Sequence, residues 1–410
     1  MTVPAHAPER PLRLLAAVPR WRWWVLGCFV ARLPSTMVVV ALVLSGKRLG
    51  SYGLGAGLAG LYTVAAGLGA LWRGRALDRR ELRAGLAAEL VVAGGAFLVT
   101  AALVAARAPL PLVALTVGVA GVASSAVFAG YRAFLPELVP AELVPAAYAI
   151  DAVLLEVAFV TGPAVAGGLS LLVGPVGALV AMAGFGLVAA FLARARLPER
   201  PPLPPPSTRA PAPAPWSNPE VVANYAVTAS VGMVIGLIEA GFAPLAVVLG
   251  AEDGVGGVCS AAYALGSALG GVAFATRLGS GRHPGRLALV LTVVLGLLIV
   301  PSAAAPSIPV LLLLLVVGGL PFATANAAAA NHLQARLHPN RATEGFALQS
   351  AAVLLGLGAG NAAASVVLSV EGSPRLLYVL AAVPPVIAAA VVAAWATTSG
   401  GRPAGRGVAG

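Results

Sequence analysis

Lysine is almost absent from this sequence: Lys47 is the only one in 410 residues, and aspartate occurs at three positions only, Asp78, Asp151 and Asp253. Charged residues make up 10% of the chain, where a soluble domain carries about 25%. No two aspartates lie close together, and the four histidines, His6, His283, His332 and His338, fall in loops or tails, so no metal constellation can be read and no cofactor is expected. That argues against a membrane-embedded, metal-dependent transferase, the main enzymatic alternative. No G-x-x-x-x-G-K-[ST] loop is present either, which speaks against ATP-driven transport by this chain. The two cysteines, Cys28 and Cys259, sit inside long apolar runs and read as packing residues rather than a disulfide or a redox pair. Aromatics are sparse at 6%, so a stacking box for sugars has little support.

What the chain does have is apolar length. Hydrophobic residues account for 59% of it and the mean hydropathy is +0.92. Windows near 22–46, 52–72, 84–106, 110–131, 146–173, 174–194, 222–250, 254–276, 286–306, 308–330, 344–370 and 375–397 can each cross a hydrocarbon core of about 30 Å as a helix. Their continuous rather than alternating hydrophobicity excludes a β-barrel, so the expected fold is an all-α integral membrane protein with twelve transmembrane helices. The formal charge of +11 is confined to short connections, which does not suit nucleic acid. Numbered from a cytoplasmic N-terminus, the inside segments hold 21 cations and the outside ones hold four, Lys47, Arg48, Arg107 and Arg375. By the positive-inside rule both termini are then cytoplasmic and the chain sits in the cytoplasmic (inner) membrane. The basic N-terminus precedes a run too long for a signal-peptide core and should stay attached as the first helix.

The proline-dense stretch 195–219 separates six windows from six, giving an N-terminal bundle (1–194), a cytoplasmic linker and a C-terminal bundle (220–410). The halves repeat: 148–164 aligns without a gap on 346–362, pairing Gly162 with Gly360, and the stretch from Tyr62 aligns with that from Tyr263. Duplicated helical halves related by a pseudo-twofold axis place a solute site between them near the midplane.

The connection after the second window reads GALWRGRALDRRELRAG. Gly74, Asp78, Arg79 and Arg83 resemble the G-x-x-x-D-R-x-G-R-[RK] signature of the major facilitator superfamily, with Glu81 and Leu82 where that signature has glycine and a base. The resemblance implies a twelve-helix secondary transporter whose motif locks one conformation through close helix approach and ion pairing. ARLPSTM in the first window and the segment YRAFLPELVPAELVPAAYAIDAVLLEVAFVTGPAVAGG are similar to bacterial efflux-type members, and in the latter Gly162, Pro163 and Gly167 match part of the antiporter signature of the fifth helix. Physically, a Gly-Pro step removes a backbone donor and bends the helix, while small residues let the opposite half pack closely.

Charges inside apolar windows are costly and should face protein, water or a partner. Arg32, Asp151, Glu156 and Glu239 are the candidates. Counted from the inner surface, Arg32 and Glu156 lie at a common depth of roughly 15 Å, and the resemblance makes their helices neighbours, so an Arg32–Glu156 pair is expected. Asp151 is expected to solvate the helix entry or to pair with Arg132. With one cation among three carboxylates, Arg32 is either a static structural staple with Glu156 or shared, bound to Glu156 in one state and approached by Glu239 or an anionic substrate group in the other, the carboxylate that loses it taking a proton. Glu344 suits a helix N-terminus. Polar residues that could meet a solute are Ser35, Thr36, Ser124, Ser125, Thr228, Ser230, Thr324 and Asn326, each of which could equally serve a helix–helix hydrogen bond.

These readings converge on a monomeric, proton-coupled transporter of a small organic solute, with export favoured over import. A channel or a transport-inactive sensor on the same fold is the alternative from another class.

Overall fold

A computed structural model describes residues 10–78, 80–199, 213–277, 283–338, 341–370 and 372–399. It is all-helical. After a short helix, Arg10–Ala17, the membrane passes are α1 (Trp21–Leu49), α2 (Tyr52–Asp78), α3 (Leu82–Ala105) and α4 (Leu110–Ser124, continued by Val127–Ala133). One helical stretch, Val144–Arg196, supplies both α5 (residues 144–173) and α6 (175–196). The C-terminal half follows with α7 (Pro219–Val248), α8 (Val255–Arg277), α9 (Pro284–Ile299), α10 (Ile308–Arg336), α11 (Ala342–Val370) and α12 (Arg375–Leu380 and Val383–Ser399).

The α5–α6 stretch shows why twelve passes come from fewer continuous helices. At 53 residues it would be about 80 Å long if straight, far more than a bilayer needs. Gly174 adopts φ 79, a conformation that only glycine takes cheaply, and Pro175 follows it. The chain reverses there: Cys28 of α1 touches Asp151 of α5, while the adjacent Gly27 lies against Leu192 of α6. Two other passes depart from single helices. The Ser125 hydroxyl bonds the Val122 carbonyl at 2.7 Å where α4 breaks, and Pro384 and Pro385 open the second piece of α12.

With lipid as apolar as any side chain, close packing rather than burial of oil holds such helices together. α5 lies on α1, where a side chain at Gly162 would collide with Thr36, and α11 lies on α7, where one at Gly360 would collide with Met233 and Gly236. Gly121 of α4 closes on the Tyr62 carbonyl as Gly319 of α10 closes on that of Tyr263. Each half thus repeats the other's contacts. The ends of α1, α6, α7 and α12 that lead to the termini and the linker define the terminal face; the opposite one is the far face.

Candidate functional site

The halves meet along two seams. In the first, α2 faces α11: Gly53 lies against Ser369, Gly57 against Ser365, Gly60 against Gly358 and Asn361, and Gly67 against Leu354. The Ser365 hydroxyl donates to the Gly53 carbonyl at 2.6 Å. In the second, α5 faces α8: Gly167 lies against Gly254 and Gly257, and the Pro163 carbonyl against Gly257. Both seams are tight towards the far face, where Lys47 of α1 also reaches Asp253 of the α7–α8 connection at 2.7 Å. Of the expected packing motif, Gly162 therefore serves α1, while Pro163 and Gly167 serve the seam. The backbone stays helical through Pro163.

Because a Cβ on Gly257 would strike the Pro163 backbone, Gly257→Ala is expected to disfavour the state closed at the far face. Overpacking costs roughly 1–3 kcal/mol, which shifts the ratio of states with this seam closed and open about fivefold to 150-fold. Far-side labelling of a cysteine introduced at Ser35 would rise accordingly; unchanged labelling would mean that the seam tolerates the methyl group.

The intramembrane charges are arranged differently from expectation. Arg32 pairs with Asp151, not with Glu156. Its Nη1 also donates to the Asp151 main-chain oxygen at 2.9 Å, and its guanidinium lies over the Phe128 ring at 5.6 Å. Arg132 takes the other Asp151 carboxylate oxygen, as one of the two expectations for Asp151 had it. The Cys28 thiol lies 3.7 Å from the same carboxylate. Arg32 and Asp151 are 1% and 0% exposed, so one buried carboxylate ties α1, the end of α4 and α5 together. The register has a physical reason. α1 and α5 run parallel, and helical side chains lean towards their own N-terminus. The long arginine side chain therefore ends about a turn nearer the terminal face than its Cα, level with Asp151. This removes Arg32 from the sharing scheme in the conformation seen here.

Glu156 and Glu239 are both half-buried, and neither has an ion-pair partner among the described residues. Glu156 precedes Pro163 by seven residues and Gly167 by eleven, so it lies on the α5 stripe that meets α8. Glu239 continues the α7 stripe of Gly232 and Gly236 that packs on α11, and it comes within electrostatic reach of Tyr263 on α8. It therefore stands between the two helices that form the C-terminal side of both seams. The Tyr263 hydroxyl is buried without a partner, and its ring lies 6.0 Å from that of Phe322. In the repeat-related place Tyr62 rests 6.0 Å from Phe97 and its hydroxyl reaches Ser35 at 3.4 Å, with Ser124 also in range. The pair Tyr62 and Tyr263 was visible in the sequence only as a repeat match.

The other expected polar residues are mostly committed to helices. Thr36 bonds the Leu33 carbonyl, Thr228 that of Asn224, Ser230 that of Val227 and Thr324 that of Gly270 across to α8. Asn326 is half-buried. Glu344 pairs with Arg341 at the start of α11. In the gate motif, Arg79 and the side chains of Gly74 and Asp78 lie outside the described residues. Arg83 pairs with Glu199. Glu81, where the signature has glycine, caps α3 by accepting from the Arg83 and Ala84 amides at 3.0 and 2.8 Å. One residue escaped the sequence reading: Glu89, 5% exposed in α3, pairs with Arg73 of α2. Its place near the start of a basic-flanked window disguised it as a helix-end charge.

The family profile described as Major Facilitator Superfamily matches residues 24–304. Among solved structures, the chain is similar to a bacterial homolog of the human lysosomal transporter Spinster in an inward-facing and unoccupied conformation, at TM-score 0.66 and 16% identity, over 98% of this chain and 100% of that one. It is similar to the POT family transporter PepTSo at TM-score 0.71 and 12% identity (97% and 100% covered), and to the nucleoside transporter NupG at 0.66 and 11% (92% and 99%). A search of curated proteins finds no significant match.

Proposed function

The chain belongs to the major facilitator superfamily and is a secondary transporter of a small solute, and we propose that it exports a small organic molecule in exchange for protons. The observation that carries this reading is the placement of Glu156 and Glu239. Both lack an ion-pair partner among the described residues; Glu156 lies on α5, a seam helix, and Glu239 on α7, which packs on the seam helix α11. A carboxylate in such a place carries charge at a high cost inside the membrane and none when protonated, so its proton state biases how the halves meet. If the terminal face is cytoplasmic, as the arginine distribution favours, seams tight at the far face correspond to an inward-facing state; the likeness to the inward-facing Spinster homolog supports that reading. The gene product then works as a monomer in the cytoplasmic membrane, with the two six-helix halves rocking about the solute.

Proteoliposomes with an imposed pH gradient test this. A panel of amphiphilic solutes is offered with and without a protonophore. Export coupling predicts solute movement opposite to the proton gradient, abolished by the protonophore. Movement in the same direction as protons would favour an importer, and uncoupled, electrogenic flux faster than alternating access would favour a channel.

A further inference from the structure

We infer that the far face of the N-terminal half holds a binding site for the phosphate of an anionic lipid headgroup, gripped by Arg48 and Arg107. The inference is independent of what the protein transports.

Cations are scarce on this face: the connections there carry only Lys47, Arg48, Arg107 and Arg375. Lys47 is engaged by Asp253, and Arg375 donates to the Ala303 and Ala305 carbonyls. The side chains of the remaining two, Arg48 and Arg107, have no hydrogen bond or ion pair among the described residues, and both residues line a single pocket of about 300 Å³. No carboxylate lines it. Its other walls are Leu49, Gly50, Leu54, Ala108 and Leu110, so two guanidinium groups stand beside an apolar floor at the level where helices leave the membrane. Charge above and hydrocarbon below is the pattern of a lipid, and paired guanidinium donors suit phosphate oxygens.

The backbone of Arg107 supplies a second, separate argument. Arg107 ends α3 with φ 51, and it is the only non-glycine residue with positive φ among those described. The Ala108 amide bonds the Leu103 carbonyl, closing the turn in the way that favours glycine at this position. Four of the other five far-face turns obey that preference, Gly50 after α1, Gly174 after α5, Gly250 after α7 and Gly372 after α11, all with positive φ, while the α9–α10 turn leaves through a 3-10 helix instead. Only after α3 does an arginine stand where the turn asks for glycine. A strained residue whose side chain finds no protein partner is explained if the side chain serves a ligand.

The test uses the full chain in nanodiscs of phosphatidylglycerol or phosphatidylcholine with matched acyl chains, reading thermal stability and the lipids retained in native mass spectrometry. Arg107→Gly keeps the turn while removing the guanidinium, and Arg48→Gln removes the other. Wild type should retain phosphatidylglycerol selectively and melt later in it. Each substitution should weaken that preference about fivefold, while the stability of Arg107→Gly in phosphatidylcholine stays equal to or above wild type. Equal behaviour in the two lipids, or an undiminished preference in both variants, overturns the inference. So does inorganic phosphate reproducing the stabilisation in phosphatidylcholine, which would make the site one for a soluble anion.

Discussion

Asp151→Ala is expected to destabilise the protein by about 3–5 kcal/mol, the usual loss when one partner of a buried ion pair is removed. The carboxylate is fully buried, accepts from Arg32 and Arg132, and is the point where α1, α4 and α5 are tied. Without it Arg32, 1% exposed, keeps only the main-chain oxygen at position 151 and the Phe128 ring for company. Removing both partners should do far less harm. A double variant, Arg32→Met with Asp151→Leu, is expected to recover most of the loss, because well-packed apolar side chains replace a buried pair at little cost. Heating in the presence of a thiol-reactive fluorogenic dye provides the readout, since Cys28 and Cys259 are both buried in the folded protein. An Asp151→Ala midpoint equal to wild type would mean that water reaches the pair and that the staple is not structural.

Glu239→Gln is expected to abolish accumulation against a gradient while leaving solute counterflow intact. Glutamine keeps the size and hydrogen-bonding capacity of the protonated acid but can neither lose a proton nor acquire charge. The seam helices α8 and α11 on either side of position 239 would then experience one state throughout the cycle, so the halves could still rock around a solute, uncoupled from protons. Glu156→Gln should act in the same direction, since it lies on the α5 stripe that faces α8. Wild-type uphill transport by the double variant in pH-gradient vesicles would dismiss both carboxylates as coupling groups.

How far the sequence revealed these arrangements differs by the kind of information involved. The passes were legible because a bilayer imposes length and hydropathy directly, and the boundary between windows 146–173 and 174–194 fell where Gly174 turns the chain. The repeat was legible through Gly162 with Gly360 and Tyr62 with Tyr263, residues whose packing roles recur in both halves. The partner of Arg32 was not. Depths counted along Cα atoms matched it to Glu156, whereas a long side chain delivers its charge about a turn away, to Asp151. Glu81 was legible only as a departure from a motif; its capping role needs the helix start to be located to the residue. Glu89 escaped notice because nothing in a linear reading brings the beginning of α3 alongside Arg73 at the end of α2.

The reversal at Gly174 bears on how the protein is made. With the terminal face cytoplasmic, as proposed above, the α1–α2 and α3–α4 connections bring Lys47, Arg48 and Arg107 across the bilayer during synthesis. Between α5 and α6 the chain turns on Val173, Gly174 and Pro175, none of them charged. The two arms can therefore leave the ribosome and enter the lipid as a single preformed hairpin. For a substitution such as Gly174→Val, the damage would then fall on biogenesis: the far-side turn could not close, α6 would lose its orientation, and undersized insertion products would accumulate before any transport defect could be measured.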